Sequence, residues 1–318
     1  MSIESNDGNL NFHIAQLDLS DLSSVALSAA AEELLQATRE CGFIYVRIGS
    51  KHANTIENMR RAQRSFFDLS IASKSEIAID VNNRGYMAEG LAQMHGAVRR
   101  DQKEVFFWGR EADSSDPDVI AGLPLCGPNQ WPEVPGFEDA VLDYSSMIQS
   151  IGDKLLQIVA VSLGASASFF ESYYERCMLR GQLLCYPPTE NHPDQFGVAP
   201  HSDFGCITLL LQETAGLEVL FPNGEWVPAP PAENTLVVNI GDLLERWSNH
   251  RFPSTKHRVR NLSSEARYSI AMFYDPNPGA VIDSTDLLPD ESAKYPRVAA
   301  AEYILGRNKG AFDHYKKD

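Results

Sequence analysis

The chain has 318 residues and a formal net charge of −16, with 43% hydrophobic and 22% charged residues. This length and composition are typical of a globular protein with one large domain or two modest ones. No apolar run reaches the roughly 18 residues that a membrane helix needs. The negative charge disfavours binding to nucleic-acid phosphates. We therefore expect neither a membrane nor a nucleic-acid partner, and no feature of the sequence specifies an oligomeric state.

The five cysteines are dispersed along the chain and form no CxxC pair. They are Cys41, Cys126, Cys177, Cys185 and Cys206. An odd, scattered set is typical of free thiols in a reducing compartment rather than of a disulfide framework. The opening stretch MSIESNDGNLNF has no basic segment followed by an apolar block, so we expect no secretory signal and a cytoplasmic protein.

The first half of the chain reads as mixed helix and strand. Residues 23–42 are rich in Ala, Leu and Glu and stop at Gly42, which predicts a helix. The stretch FIYVRI (43–48) predicts a short strand, and residues 52–67 predict a second helix. Apolar residues at three- and four-residue steps predict a long helix from Phe137 to Leu163.

After about residue 180 the chain turns to short strand-like runs. LEVLF and EWVPA flank PNG, a hairpin pattern, and TLVVNI and RYSIAMFY predict further strands. Closely spaced strands of this kind favour an antiparallel sandwich or barrel. A closing helix is predicted over 297–307, with Pro296 at its start. We therefore divide the chain into a mixed region (1–180) packed on a β core (181–290) and a carboxy-terminal helix (291–318).

A histidine and an aspartate stand two residues apart at the head of HSDFGCITLLLQ (201–212). Residues i and i+2 of a strand share a face, so His201 and Asp203 point to one side. His257 follows 56 positions after His201. Two histidines and one carboxylate form the facial triad of non-haem Fe(II) oxygenases, provided that a barrel brings the distant strands together.

Other interpretations of this pair remain open at the level of residue types. His201 and Asp203 also suit a base with its orienting carboxylate. A structural zinc site needs four protein ligands, and Cys206 is the nearby candidate for the fourth. A small buried hydrophobe is the alternative role for that cysteine.

A second polar pair follows on the strand RYSIAMFY. Arg267 and Ser269 again share one strand face. A guanidinium presents a rigid fork that matches a carboxylate, and a hydroxyl adds another hydrogen bond. This pair is suited to hold the far carboxylate of a dicarboxylate whose other end chelates a metal.

Taken together, these stretches resemble the Fe(II)/2-oxoglutarate-dependent dioxygenases of the isopenicillin N synthase-like superfamily. The matching segments include HSDFGCITLLLQ, LVVNIGDLLERWSNHRFPSTKHRV and RYSIAMFYDPN, with CGFIYV, RGYMAEG and KEVFFWG in the first half. The resemblance implies a mixed α and β protein whose core is a double-stranded β-helix, or jelly roll, with flanking helices. It further implies that His201, Asp203 and His257 bind iron and catalyse. Arg267, Ser269 and Tyr186 would bind 2-oxoglutarate.

The resemblance also implies an activity. Fe(II), 2-oxoglutarate and O2 would oxidise a small organic metabolite, with hydroxylation as the default outcome, desaturation or cyclisation as variants, and succinate and CO2 as coproducts. Residues expected near the substrate are Arg84, Tyr86, Phe107 and Phe273. Two alternatives stay open: an Fe(II) oxidase of the isopenicillin N synthase type that needs no 2-oxoglutarate, and a non-catalytic metal-binding sensor.

Overall fold

The computed structural model describes residues 14–21, 26–38, 41–188 and 192–315. The strands in this part of the chain are β1 Gln16–Asp18, β2 Phe43–Arg47, β3 Gly85–Met87, β4 Glu104–Gly109, β5 Met178–Tyr186, β6 Val198–His201, β7 Ile207–Gln212, β8 Leu217–Leu220, β9 Trp226–Pro228, β10 Thr235–Ile240, β11 His257–Val259, β12 Arg267–Asp275, β13 Val281–Ile282 and β14 Val298–Ala299. The α-helices are α1 Leu27–Thr38, α2 Ala53–Phe67, α3 Ile71–Ser75, α4 Pro117–Ile120, α5 Phe137–Ser162, α6 Asp242–Trp247, α7 Ser284–Leu287 and α8 Ala300–Ala311. Short 3-10 turns cover Ser50–His52, Glu171–Tyr173 and Asp313–Tyr315.

Two sheets form the body of the fold. The larger has the order β1-β2-β10-β7-β12-β5-β4-β3, and the smaller has the order β6-β11-β8-β9. Apart from the parallel β1–β2 pair, neighbouring strands in these sheets run antiparallel. The arrangement confirms the predicted jelly-roll core with flanking helices.

The amino-terminal strands complete the larger sheet at both of its edges. β2 pairs with β10 on one side, and β4 pairs with β5 on the other. The predicted division at residue 180 falls inside β5. The first half of the chain is therefore hydrogen-bonded into the same sheet as the second half.

Alternation along β12 separates two hydrophobic cores. Ile270, Met272 and Tyr274 face the core that the large sheet shares with its helices, of which α5 packs on β12, β5 and β7. Ala271 and Phe273 face the second core, between the two sheets. The polar residues at the start of β12 follow the same alternation, so they point into the space between the sheets.

The predicted helices and strands agree best with the structure where a regular apolar pattern extends over many residues. α2 and α5 begin within a residue of their predicted starts, and β8 and β9 form the predicted hairpin. The predicted start of the closing helix is wrong: residues 298 and 299 pair with β13, and α8 begins at Ala300. Residues 23–25, 39 and 40 of the first predicted helix, and 316–318 at the end of the chain, lie outside the described residues.

None of the helices that the structure describes is long and apolar enough to cross a membrane.

Candidate active site

Three side chains from distant points of the chain meet between the sheets. His201 ends β6 and lies directly opposite His257 of β11. Asp203 follows two residues later, and its Oδ1 lies 3.6 Å from the Nε2 of His201 and 3.7 Å from the Nε2 of His257. One ligand atom from each residue fits within 4.8 Å of the other two. The tertiary structure thus brings together the triad that the sequence predicts.

The backbone orients both imidazoles. The Nδ1 of His201 lies 2.9 Å from the carbonyl oxygen of Ala199, and the Nδ1 of His257 lies 3.3 Å from that of Thr255. An Nδ1–H that donates to a carbonyl leaves the Nε2 lone pair free. Both free nitrogens therefore face Asp203, in the tautomer that a metal ligand requires.

Two polar side chains orient the carboxylate, and the sequence analysis missed both. Thr208 donates to the Oδ2 of Asp203 at 2.6 Å, and Asn239 donates to the same oxygen at 2.7 Å. These bonds leave Oδ1, on the side of the two imidazoles, free to bind a metal. The sequence does contain one indication of Asn239: it is an asparagine inside the apolar run TLVVNI, and a buried amide needs a hydrogen-bond partner.

The protonation states suit metal ligation. Burial, reinforced by the neighbouring His257, lowers the pKa of His201 to about 3. Burial alone would raise the pKa of Asp203, but His257, His201 and the hydrogen bonds from Thr208 and Asn239 outweigh it and lower that pKa. A neutral imidazole and an ionised carboxylate are the forms that bind a divalent cation.

The donor set fits Fe(II) better than structural zinc. Two imidazole nitrogens and a carboxylate oxygen are the facial-triad ligands of non-haem iron, with positions left for other ligands. Within the described ranges, no cysteine joins this group. Cys206 is fully buried in the core on the helix side of the large sheet, so its structural role is that of a small hydrophobe.

Arg267 and Ser269 lie deeper between the sheets. Arg267 is 1% exposed, and its guanidinium donates to the carbonyl of Ala215 at 3.1 Å and to the side chain of Gln212 at 3.0 Å. Its Cζ lies 4.9 Å from the ring centroid of Tyr186. Burial lowers the pKa of this arginine, but a guanidinium keeps its charge at neutral pH. Among the described residues, no carboxylate forms an ion pair with it.

A cavity of about 870 Å³, including its open mouth, lies between the two sheets at the triad. The lining includes the complete triad together with Tyr186, Lys103 and Phe273. Arg267 and Ser269 are not among the lining residues. They stand beside lining residues in the sheet, where Arg267 is paired with Tyr186 and Ser269 with Leu184.

The four residues expected near the substrate occupy different places. Phe273 lines the cavity, whereas Arg84, Tyr86 and Phe107 are not among its lining residues. The buried guanidinium of Arg84 donates to backbone carbonyls, including that of Leu125 at 3.2 Å. The hydroxyl of Tyr86 donates to Glu104 at 2.8 Å, and Phe107 packs against Phe312. Arg84, Tyr86 and Phe107 are thus buried residues whose described contacts are with other parts of the protein.

Replacing Asn239 by alanine is expected to weaken iron binding about 10- to 100-fold, the usual effect of losing a partner that orients a metal ligand. Asp203 would keep only the hydrogen bond from Thr208. Titration of Fe(II) into the anaerobic protein measures the change. Asn54→Ala, at an exposed position of α2, is the matched control. Unchanged iron affinity in Asn239→Ala would contradict the role assigned to this amide.

The jelly roll and its His-Asp-His centre define the class of the protein as a non-haem iron oxygenase. Two family models agree: the 2OG-Fe(II) oxygenase superfamily matches residues 174–276, and the N-terminal region of the non-haem dioxygenase in morphine synthesis matches residues 14–134. The chain is 32% identical over 314 residues to the 2-oxoglutarate-Fe(II) type oxidoreductase hxnY of Emericella nidulans, covering 91% of this chain and 89% of that relative.

Further relatives agree with this assignment. The homoarginine-6-hydroxylase 2-ODD-233 of Oryza sativa is 30% identical over 300 residues, which cover 86% of this chain and 89% of that protein. The crystal structure of a full-length Neurospora crassa protein in complex with alpha-KG and thymine superposes with a TM-score of 0.81 at 28% identity, covering 96% and 98% of the two chains. The chain belongs to the 2OG-Fe(II) oxygenase superfamily and is an Fe(II)- and 2-oxoglutarate-dependent dioxygenase.

Proposed function

We propose that the protein hydroxylates a small organic metabolite in the cavity between its sheets. In this proposal His201, Asp203 and His257 bind Fe(II), while Arg267, Ser269 and Tyr186 bind the distal carboxylate of 2-oxoglutarate. When bound, the iron and 2-oxoglutarate supply the oxidising chemistry, in which O2 is consumed and succinate and CO2 are released. The chain supplies the orientation of both and a chamber that limits access of water.

The observation that carries the proposal is the unpaired charge of Arg267. A guanidinium that is 1% exposed and has no carboxylate partner among the described residues is costly, since buried charges are normally paired. Lys103 and Arg180, the two cations that line the cavity among the described residues, each have a carboxylate partner. A ligand carboxylate at Arg267 would supply the missing counter-charge.

Ser269 and Gly216, which lie beside Arg267, help to position the cosubstrate. Ser269 Oγ lies 3.4 Å from the Nη1 of Arg267, so hydroxyl and guanidinium present donors side by side. Gly216 permits this arrangement, because a Cβ on that residue would lie 2.9 Å from the Nε of Arg267. A dicarboxylate held at this end has its other end directed towards the triad, which orients it before reaction.

The substrate is a small molecule in this proposal. The Neurospora crassa structure contains thymine beside alpha-KG, which supports a compact metabolite as the ligand of a closely similar fold. Hydroxylation is the proposed outcome, and the rice relative named as a hydroxylase supports it. The buried Cys126, Cys177, Cys185 and Cys206 are free thiols, which supports the proposed cytoplasmic location, and fractionation of the native host would test that location.

The test of the proposal is spectroscopic. Purified protein that is given Fe(II) and 2-oxoglutarate without oxygen is expected to develop a weak visible charge-transfer band, because the keto acid chelates the metal. Absence of the band in protein with demonstrated bound iron would overturn the cosubstrate assignment. Succinate formation during turnover separates this enzyme from an oxidase of the isopenicillin N synthase type, which forms none.

The same preparation distinguishes the proposed enzyme from a non-catalytic metal-binding sensor once oxygen is admitted. Such a protein binds iron but consumes no 2-oxoglutarate when oxygen is admitted. We expect slow succinate formation even without the natural substrate, and its stimulation by a correct substrate.

A further inference from the structure

The strand that carries His201 is irregular just before that residue. β6 is an outer strand of the smaller sheet, with β11 as its neighbour. In their pairing His257 lies opposite His201. Val259 lies opposite Val198, so β6 carries one extra residue between the two paired positions. A bulge of this kind interrupts the regular ladder, so other groups must fix the backbone there.

Ala199 lies in this bulge and makes a hydrogen bond through each of its backbone polar groups. Its carbonyl oxygen lies 2.9 Å from the Nδ1 of His201 and orients that imidazole. Its N–H donates to the Oδ1 of Asp101 at 3.1 Å. Ala199 therefore connects the carboxylate of Asp101 to the imidazole that is proposed to bind iron.

Backbone and side-chain contacts hold Asp101 beside β6. Its own N–H donates to the carbonyl of Ala92 at 2.9 Å, and the N–H of Gln102 donates to the carbonyl of Phe196 at 3.0 Å. The Oδ2 of Asp101 lies 3.3 Å from the Nζ of Lys103. The segment that precedes β4 thus runs beside β6 and the residues just before it.

Asp101 and Lys103 form a buried ion pair. The aspartate side chain is 0% exposed, and the lysine side chain is 4% exposed. Removal of two charges from water is costly, and apolar residues of similar volume are often at least as stable as a buried ion pair. Stability alone therefore does not account for this pair. Lys103 also lines the cavity at the triad, so the pair lies beside the metal centre.

We propose that Asp101 and Lys103 are positioning residues for His201. Asp101 holds the N–H of Ala199 and thereby fixes the carbonyl that orients the imidazole. Lys103 supplies the counter-charge that keeps the buried carboxylate in place. This inference rests on the proposed function, because it takes His201 as an iron ligand. It also assigns the amino-terminal part of the chain a role at the metal centre.

Titration of Fe(II) into the anaerobic protein, followed by addition of 2-oxoglutarate, tests the inference. Asp101→Leu removes the acceptor for Ala199 at similar size. It is expected to weaken iron binding about tenfold, the lower end of the usual effect of losing a group that supports a metal ligand. At saturating iron its charge-transfer band is expected to shift in wavelength, because a turned imidazole changes the field at the metal. Asp101→Asn keeps an acceptor of the same shape and is expected to recover part of the affinity.

Two lysine variants separate positioning from a merely structural role. Lys103→Met removes the counter-charge of Asp101 and is expected to weaken iron binding as well. Lys74→Met is the matched control: the side chain of Lys74 is also 4% exposed and paired with a carboxylate, that of Glu104, but it is not among the residues that line the cavity. This control is expected to lower the unfolding temperature, because it breaks a buried pair, and to leave the iron affinity and the band unchanged.

The outcomes separate the two proposals. Wild-type iron affinity with an unshifted band in Asp101→Leu would overturn the inference, and so would equal effects of Lys103→Met and Lys74→Met on iron affinity. If Asp101→Leu does not fold, the comparison of the two lysine variants decides. Absence of the band in the wild-type enzyme with iron bound overturns the proposed function itself. A normal wild-type band with unaffected variants overturns only the role of Asp101 and Lys103.

Discussion

Replacing His201 by alanine is expected to abolish turnover and to remove most of the bound iron. The imidazole supplies one of three protein ligands, and its Nε2 lies 3.6 Å from the Oδ1 of Asp203, at the point where the ligand atoms converge. Two remaining ligands hold a divalent cation far more weakly than three. A loss of at least about 1,000-fold in succinate formation is the expected magnitude, because the metal carries the oxidative chemistry.

The measurement combines metal analysis with succinate formation. His95→Ala is the matched control, since that histidine is exposed and lies outside the cluster. It is expected to keep both the iron content and the activity. Retention of iron and of turnover by His201→Ala would exclude this histidine as a ligand and would direct attention to another metal position.

Replacing Arg267 by alanine is expected to raise the concentration of 2-oxoglutarate needed for half-maximal activity by about 100-fold or more. The reason is the loss of a charge-assisted, forked interaction with a carboxylate, which is among the strongest kinds of hydrogen bond. Iron binding should remain, because the guanidinium of Arg267 donates to Ala215, Gln212 and Ser269 rather than to the triad. Kinetics at varied 2-oxoglutarate, with iron analysis of the same samples, measure the effect.

Arg267→Lys separates charge from geometry. Lysine keeps the positive charge but has no planar fork, so it is expected to recover only part of the affinity for 2-oxoglutarate. The gap left by alanine also destabilises the core, so thermal unfolding of each variant is recorded beside the kinetics. A folded Arg267→Ala enzyme with an unchanged 2-oxoglutarate requirement would contradict the proposed role.

Some residues of the site could be identified from the sequence without knowledge of the fold. His201 and Asp203 were recognisable because a strand places residues i and i+2 on one face, and β6 with its following loop does so. His257 was identified because a facial triad needs a second histidine. The antiparallel pairing of β11 with β6 explains how it reaches His201. Thr208 and Asn239 were missed because their contact with Asp203 joins three separate segments of the chain.

Three of the four residues expected near the substrate are not among those that line the cavity. Arg84 and Phe107 lie in segments that match the family, but the sequence contains no indication of which face of a short strand will meet the cavity. In the structure the guanidinium of Arg84 donates to backbone carbonyls. Arg180 and Asn308, which were not predicted, line the cavity. The helix that carries Asn308 reaches the cavity only through the tertiary fold.

The sequence by itself determined the local elements and the chemical groups of this protein. The apolar period of α5 and the alternation of β12 are set by neighbouring residues, so they could be predicted without knowing the fold. Tertiary structure alone decided how β2 and β4 join opposite sides of the large sheet, and that Thr208 and Asn239 hydrogen-bond to Asp203. The physical reason is that strand pairing and hydrogen-bond satisfaction depend on groups far apart in the chain, which come together only when the two sheets enclose them.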